Sequence, residues 1–143
     1  MLKGLDSLLT PELLMHLSAM GHGEWVAVVD ANFTADFLGK GKALVRLPGH
    51  SLERVSKAVL SVFPLAEDVA CPAAYMQVCH SPEGHQTAAQ ASVVALLSHE
   101  GLPASRVEAV ERFAFYEKIK GASVIVQSGE ATAYGNAMFC KGV

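Results

Sequence analysis

No stretch of this 143-residue chain approaches the roughly 20 consecutive apolar residues that a membrane-spanning helix needs. The longest apolar runs, around Val26–Val29 and Val93–Leu97, are short and flanked by polar residues, so no membrane partner is expected. The chain has little charge excess. Eleven Lys and Arg stand against 14 Asp and Glu, interspersed, for a net charge of −3. Without a basic stripe, nucleic acid is not an expected partner. Cysteine is scarce and odd in number. Cys71, Cys79 and Cys140 lie far apart and fit reduced thiols better than a disulfide framework. The first residues, Met1-Leu-Lys-Gly-Leu-Asp6, lack the long apolar region and small-residue cleavage site of a secretory signal. These features lead to the expectation of a cytoplasmic protein.

Several catalytic signatures are missing as well. Gly39-Lys-Gly-Lys42 does not have P-loop spacing, and no G-x-S-x-G elbow occurs. Cys79, His80 and His85 are neighbours in sequence but do not form the two tight ligand pairs of a zinc site. No metal and no cofactor are therefore expected.

What the chain does have is apolar residues, 51% of the total, and a mean hydropathy of +0.30. That is high for a soluble monomer of one ordinary domain, residues 1–143. With no membrane span to absorb it, the excess points to surface covered by other subunits, hence a homo-oligomer.

Helix and strand signals alternate along the chain. Thr10-Pro-Glu opens a helix whose Leu13, Leu14, Leu17 and Met20 share a face, with Gly21 expected to end it in the left-handed conformation. Trp25–Asp30 is a β-branched apolar run of the kind buried on both faces of a sheet. Residues 31–42 read as a loop. Further strands are expected at 43–47, 73–79, 106–110, 122–127 and 137–140, and helices at 51–63, 86–99 and 112–120. The pattern predicts an α/β fold: a single three-layer domain with a central, mostly parallel sheet flanked by helices.

Four places carry candidate chemistry. His22 is the one histidine with glycine on both sides, which leaves its imidazole open to a ligand. An imidazole gives and takes protons near neutral pH. The competing reading is a histidine bound to the helix's terminal carbonyls. Asp30 ends the buried run, where open α/β sheets place ligand groups; a strand-end cap is the alternative. Held at either end of one apolar run, the two suggest a proton-transfer pair for a small polar substrate. Arg112 precedes Phe113-Ala-Phe-Tyr116 and can offer a planar fork of donors, or simply pack its stem on the aromatics. Tyr134, Gly135 and Asn136 can project a phenol and a carboxamide to one side, or form an ordinary turn.

The ordered set of motifs resembles the fucose mutarotase and ribose pyranase family over nearly the whole chain. It comprises Leu2-Lys, Pro11-Glu-Leu-Leu, Met20-Gly-His-Gly, Asp30-Ala-Asn-Phe, Arg112-Phe-Ala-Phe-Tyr-Glu, Tyr134-Gly-Asn and Lys141-Gly-Val. The arginine–aromatic block and Gly135 are similar to the fucose branch. The resemblance implies a cofactor-free isomerase that interconverts the α and β anomers of a free monosaccharide, L-fucose by that branch. It implies His22 as the catalytic histidine, and Asp30, Arg112 and Tyr134 to Asn136 as sugar-binding residues. It also implies a decamer built from rings, with pockets at subunit contacts. Three positions depart from the family pattern: Glu24 for an aspartate, Thr34 for a proline, and Asp36 for a serine or histidine. They bear on the preferred sugar more than on the reaction.

Mutarotation needs only proton traffic, so His22 is expected to transfer the main proton and Tyr134 to assist, while Asp30, Arg112 and Asn136 hold hydroxyls. Rival readings are a pyranase acting on ribose or another aldose, a non-catalytic sugar-binding module, and a ring-forming structural protein.

Overall fold

The computed structural model describes residues 2–143; Met1, the first residue of the expected domain and leader reading, lies outside them. In chain order the elements are α1 (Pro11–Ala19), β1 (Trp25–Val29), α2 (Ala35–Leu38), β2 (Ala43–Leu47), α3 (Leu52–Leu60), β3 (Ala73–Met76) and α4 (Ala88–His99). A 3₁₀ turn (Ala104–Arg106), β4 (Val107–Val110), α5 (Arg112–Lys120), β5 (Ala122–Ser128) and β6 (Ala137–Cys140) complete the chain. No helix among the described residues is long and apolar enough to cross a membrane.

The six strands form one sheet in the order β2-β5-β1-β6-β3-β4. Five run the same way. β6 alone is reversed and pairs antiparallel with both β1 and β3. The expected mostly parallel sheet is thus present, with β6 inserted between its halves. Side chains alternate across the sheet with the period of two that a pleated strand imposes. Val26 and Val28 face a core built with α1, α3 and α4, while Ala27 and Val29 face one built with α2 and α5. Val124, Val126 and Phe139 join the first core, and Ile125 and Met138 the second. These are the three layers.

Helix starts follow local chemistry. The Thr10 hydroxyl accepts from Leu13 N at 3.2 Å and the Ser51 hydroxyl from Arg54 N at 3.1 Å. The fourth helix begins at Ala88 rather than 86, because Thr87 caps it in a reciprocal box with Gln90. The third ends at Leu60, short of Phe63.

Three expectations are corrected. Gly21 does not take the left-handed conformation; Gly23 does, at φ +83°. The chain leaves α1 through an extended Met20, and the Lys141 ammonium donates to Leu17 O and Met20 O in place of a glycine cap. The 31–42 loop contains the one-turn helix α2, closed by Gly39 N donating to Ala35 O at 2.7 Å. Four residues are too few to show helical periodicity in sequence. The strand expected to reach Cys79 stops at Met76, and residues 77–81 turn away around His80, which has φ +59°.

Candidate active site

Parallel strands bring their carboxyl ends to one edge of the sheet, and the reversal of β6 brings its amino end to the same edge. Asp30 follows β1, Gln77 follows β3, Arg112 lies just beyond β4, and Asn136 precedes β6. Four distant stretches of sequence therefore meet at one edge.

At its centre lies a buried pair. Asp30 is 6% exposed and Asn136 2%. Asn136 Nδ2 donates to Asp30 Oδ2 at 3.0 Å, and Asn136 Oδ1 accepts from Asp30 N at 2.9 Å. Asn32 N donates to Asp30 Oδ1 at 2.9 Å. Burial pushes the Asp30 carboxyl above its ordinary range, and the hydrogen bonds from Asn32 and Asn136 oppose that rise. Gly135 is required by close approach rather than by φ. A Cβ there would stand 2.7 Å from Glu130 Cγ and 3.0 Å from Thr132 O.

Tyr134 adopts φ +62°, a conformation that bulky side chains rarely take. Its phenol lies beside the Cys79 thiol, which together with burial pushes the phenol's pKa up. It is therefore protonated and able to donate at neutral pH. Arg112 opens α5, and its Nε donates to Tyr116 Oη at 3.0 Å. Its guanidinium sits 5.7 Å from the centroids of both the Phe113 and Tyr116 rings. Tyr116 in turn packs on Phe33 at 5.8 Å between centroids. Gln77, Cys79, His80, Ser81, Glu111 and Arg112 line a cleft of about 250 Å³ at this edge.

His22 is not there. It precedes β1 and stands at the opposite edge, beside a larger groove of about 890 Å³ lined by Phe63 to Asp68, Arg106 and Val143. The five residues of β1 alone put about 16 Å between the two edges. The expectation that His22 and Asp30 of one chain serve one small substrate is therefore corrected: a strand between two residues separates them rather than joining them.

At its own edge His22 has a partner that the sequence did not reveal. His22 Nε2 lies 2.9 Å from Asp68 Oδ2. The hydrogen bond with His22 lowers the Asp68 pKa, so Asp68 is a carboxylate and can only accept. Nε2 is therefore the donor in this bond, and the Nδ1 side of the ring is left for another partner. Forty-six residues separate the two, so no local pattern could have announced Asp68. Glu24 also acquires an explanation. Its carboxylate accepts from Gly21 N and, at 2.9 Å, from the Ser123 hydroxyl, fastening the turn that presents His22. Of the other two departures, Asp36 pairs with Arg46 at 2.7 Å on the surface. Thr34 precedes α2 without a side-chain cap.

Over residues 3–143 the sequence matches the family described as the RbsD / FucU transport protein family. The chain belongs to this family. It is 37% identical over 145 residues to the fucose mutarotase of Homo sapiens, covering 99% of this chain and 94% of that one. Among solved structures, FucU from Bifidobacterium longum superposes with a TM-score of 0.90 at 37% identity, covering 99% of each chain. The fucose mutarotase of Streptococcus pneumoniae, solved in complex with L-fucose, superposes with a TM-score of 0.88 at 27% identity, again covering 99% of each chain. The three-layer α/β fold with its six-stranded sheet is the fold of these FucU structures.

Proposed function

We propose that this chain is an isomerase that interconverts the α and β anomers of L-fucose. The observation that carries this reading is the sheet-edge cleft. Arg112 lines it, and the Tyr134 phenol and the buried Asp30–Asn136 pair lie at the same sheet edge, in a chain matched end to end by a fucose mutarotase solved with its sugar.

The reaction moves protons and breaks one ring bond. A base takes the proton of the anomeric hydroxyl while an acid protonates the ring oxygen, and the C1–O5 bond opens to the aldehyde. Rotation about C1–C2 and reclosure give the other anomer with nothing gained or lost. Arg112, Asp30 and Asn136 hold the sugar's hydroxyls. Tyr134, kept protonated, is the donor to the ring oxygen. His22, with its Nδ1 free, is the base. A positioned acid or base contributes on the order of 10²–10⁴ in rate.

Because His22 and the cleft occupy opposite edges of one chain, the base comes from a neighbouring subunit. Each active site then combines the His22–Asp68 edge of one copy with the Asp30 edge of the next, in a homo-oligomer such as the decamer that the family resemblance implies. The large apolar fraction and the exposed Phe37 on α2 and Phe113 on α5 support such covering contacts. We place the enzyme in the cytoplasm, where its three free thiols stay reduced.

Saturation-transfer NMR on L-fucose and D-ribose, with and without protein, tests the function. Faster α–β exchange of L-fucose is expected. Acceleration confined to ribose would favour a pyranase, and binding without acceleration a sugar-binding module.

A further inference from the structure

We propose that Gln90 is a positioning residue that fixes Tyr134 for proton donation, although it lies in a helix and touches no substrate. This rests on the reading of Tyr134 as the acid.

Gln90 is fully buried, the only buried glutamine among the described residues, and it faces the end of the sheet from the first turn of α4. Its Nε2 donates to Met76 O at 2.6 Å and to Tyr134 O at 2.8 Å. Its Oε1 accepts from Thr87 N at 3.0 Å. Both amide hydrogens and the carbonyl are thus engaged. The two carbonyls it binds belong to the last residue of β3 and to the turn before β6. Gln90 therefore ties together the strand ends between which Asn136 sits, Met76 N donating to Asn136 O at 3.1 Å.

The tie matters because Tyr134 is held at φ +62°. A non-glycine residue persists there only when its surroundings over-determine it. The turn supplies part of that restraint: Gly135 N donates to Thr132 O and Asn136 N to Tyr134 O. These bonds are internal to the turn and would survive its rotation as a unit. Gln90 is the anchor that joins Tyr134's own carbonyl to the rest of the domain. A capping box needs only the bonds between Thr87 and Gln90 at the helix start. The second and third contacts of this side chain go beyond capping.

The test is a double-mutant cycle read by anomer exchange. Gln90→Met keeps size and removes the donors. Misplacing a reacting group by about 1 Å costs on the order of 10²-fold, so kcat should fall by about that factor. Tyr134→Phe should fall by about 10²-fold as well. If Gln90 acts through the phenol, the double variant falls no further than Tyr134→Phe alone. Thr87→Ala removes the cap but not the donors, and should lower Tm with kcat unchanged. Losses that multiply in the double variant, or a Gln90→Met protein with lower Tm and unaltered kcat, would overturn the proposal. Should Gln90→Met not fold, Gln90→Glu keeps the acceptor for Thr87 N, removes the paired donors, and replaces it in the cycle. Protein carrying ring-¹³C tyrosine gives a readout independent of catalysis. Gln90→Met should shift or broaden the Tyr134 ring signals and leave those of Tyr116 in place; unmoved Tyr134 signals contradict the role. If the wild type does not accelerate exchange, or Tyr134→Phe loses nothing, the reading of the site fails, and the ring signals still decide Gln90.

Discussion

Asp30 and Asn136, 106 residues apart, hold each other by two hydrogen bonds in opposite senses: carboxamide to carboxylate at 3.0 Å, and backbone amide to carboxamide oxygen at 2.9 Å. Each orients the other. The aspartate keeps the amide from flipping, and the amide helps a buried carboxylate stay ionised against the desolvation that raises its pKa.

Asn136→Ala strands Asp30 N and Asp30 Oδ2 in a buried site. Leaving a buried polar group unpaired costs about 1–3 kcal/mol, so the variant should lose about that much stability and unfold at lower urea concentration. Asn136→Asp should be worse, since it places a second carboxylate against the first. Urea titrations of the three proteins would measure both; an Asn136→Ala protein as stable as wild type would mean the pair is not formed.

Gly135→Ala tests close approach. The new Cβ would press on Glu130 Cγ and Thr132 O, and would lie 3.4 Å from Asp30 Cβ. Overpacking of this kind costs about 1–3 kcal/mol. The displacement reaches the Asp30 side chain and the turn that carries Tyr134, so affinity for L-fucose should fall with stability. An NMR titration with the sugar would detect it. Unchanged binding would place the sugar away from this turn.

The pH dependence of stability has a definite contributor at α3. Arg54 grips Asp6 with both terminal nitrogens, at 2.7 and 2.8 Å. The hydrogen bond with Arg54 holds the Asp6 carboxyl below its ordinary 3.8. A lowered folded-state pKa means stability that is present above 3.8 and lost as pH falls through the folded value. Asp6→Asn should therefore be less stable than wild type near neutrality, by up to about 1 kcal/mol for a partly exposed pair. The difference should close at acidic pH. Thermal melts of both proteins across that range give the curve; a gap that persists below the window assigns the loss to packing instead.

Much of this architecture was legible because it is written locally. The run Trp25–Val29 announced a strand buried on both faces, Thr10-Pro-Glu and Ser51 announced helix starts, and Tyr134-Gly-Asn136 announced a turn bearing two polar groups. What was not legible depends on contacts between distant segments. Nothing near Asp68 or Gln90 marks the one as a partner of His22 or the other as an anchor of Tyr134. Insertion of a reversed β6 between β1 and β3 is likewise a tertiary choice, and it is what delivers Asn136 to the carboxyl ends of β1 and β3. The separation of His22 from Asp30 was, by contrast, available from strand geometry alone, since β1 spans about 16 Å.

That separation makes subunit sharing the central claim, and complementation tests it most directly. His22→Ala removes the proposed base and Arg112→Ala a proposed sugar-holding group, so each assembly alone should accelerate L-fucose anomer exchange little. Co-expressed in equal amounts and assembled at random, they should restore roughly a quarter of the sites, those pairing an intact His22 edge with an intact Arg112 edge from another chain. Saturation-transfer NMR on the mixed assembly, with mixing verified by mass spectrometry, should show that recovery. Exchange no faster than in the separate variants, in a verified mixed assembly, would contradict a site built from two chains.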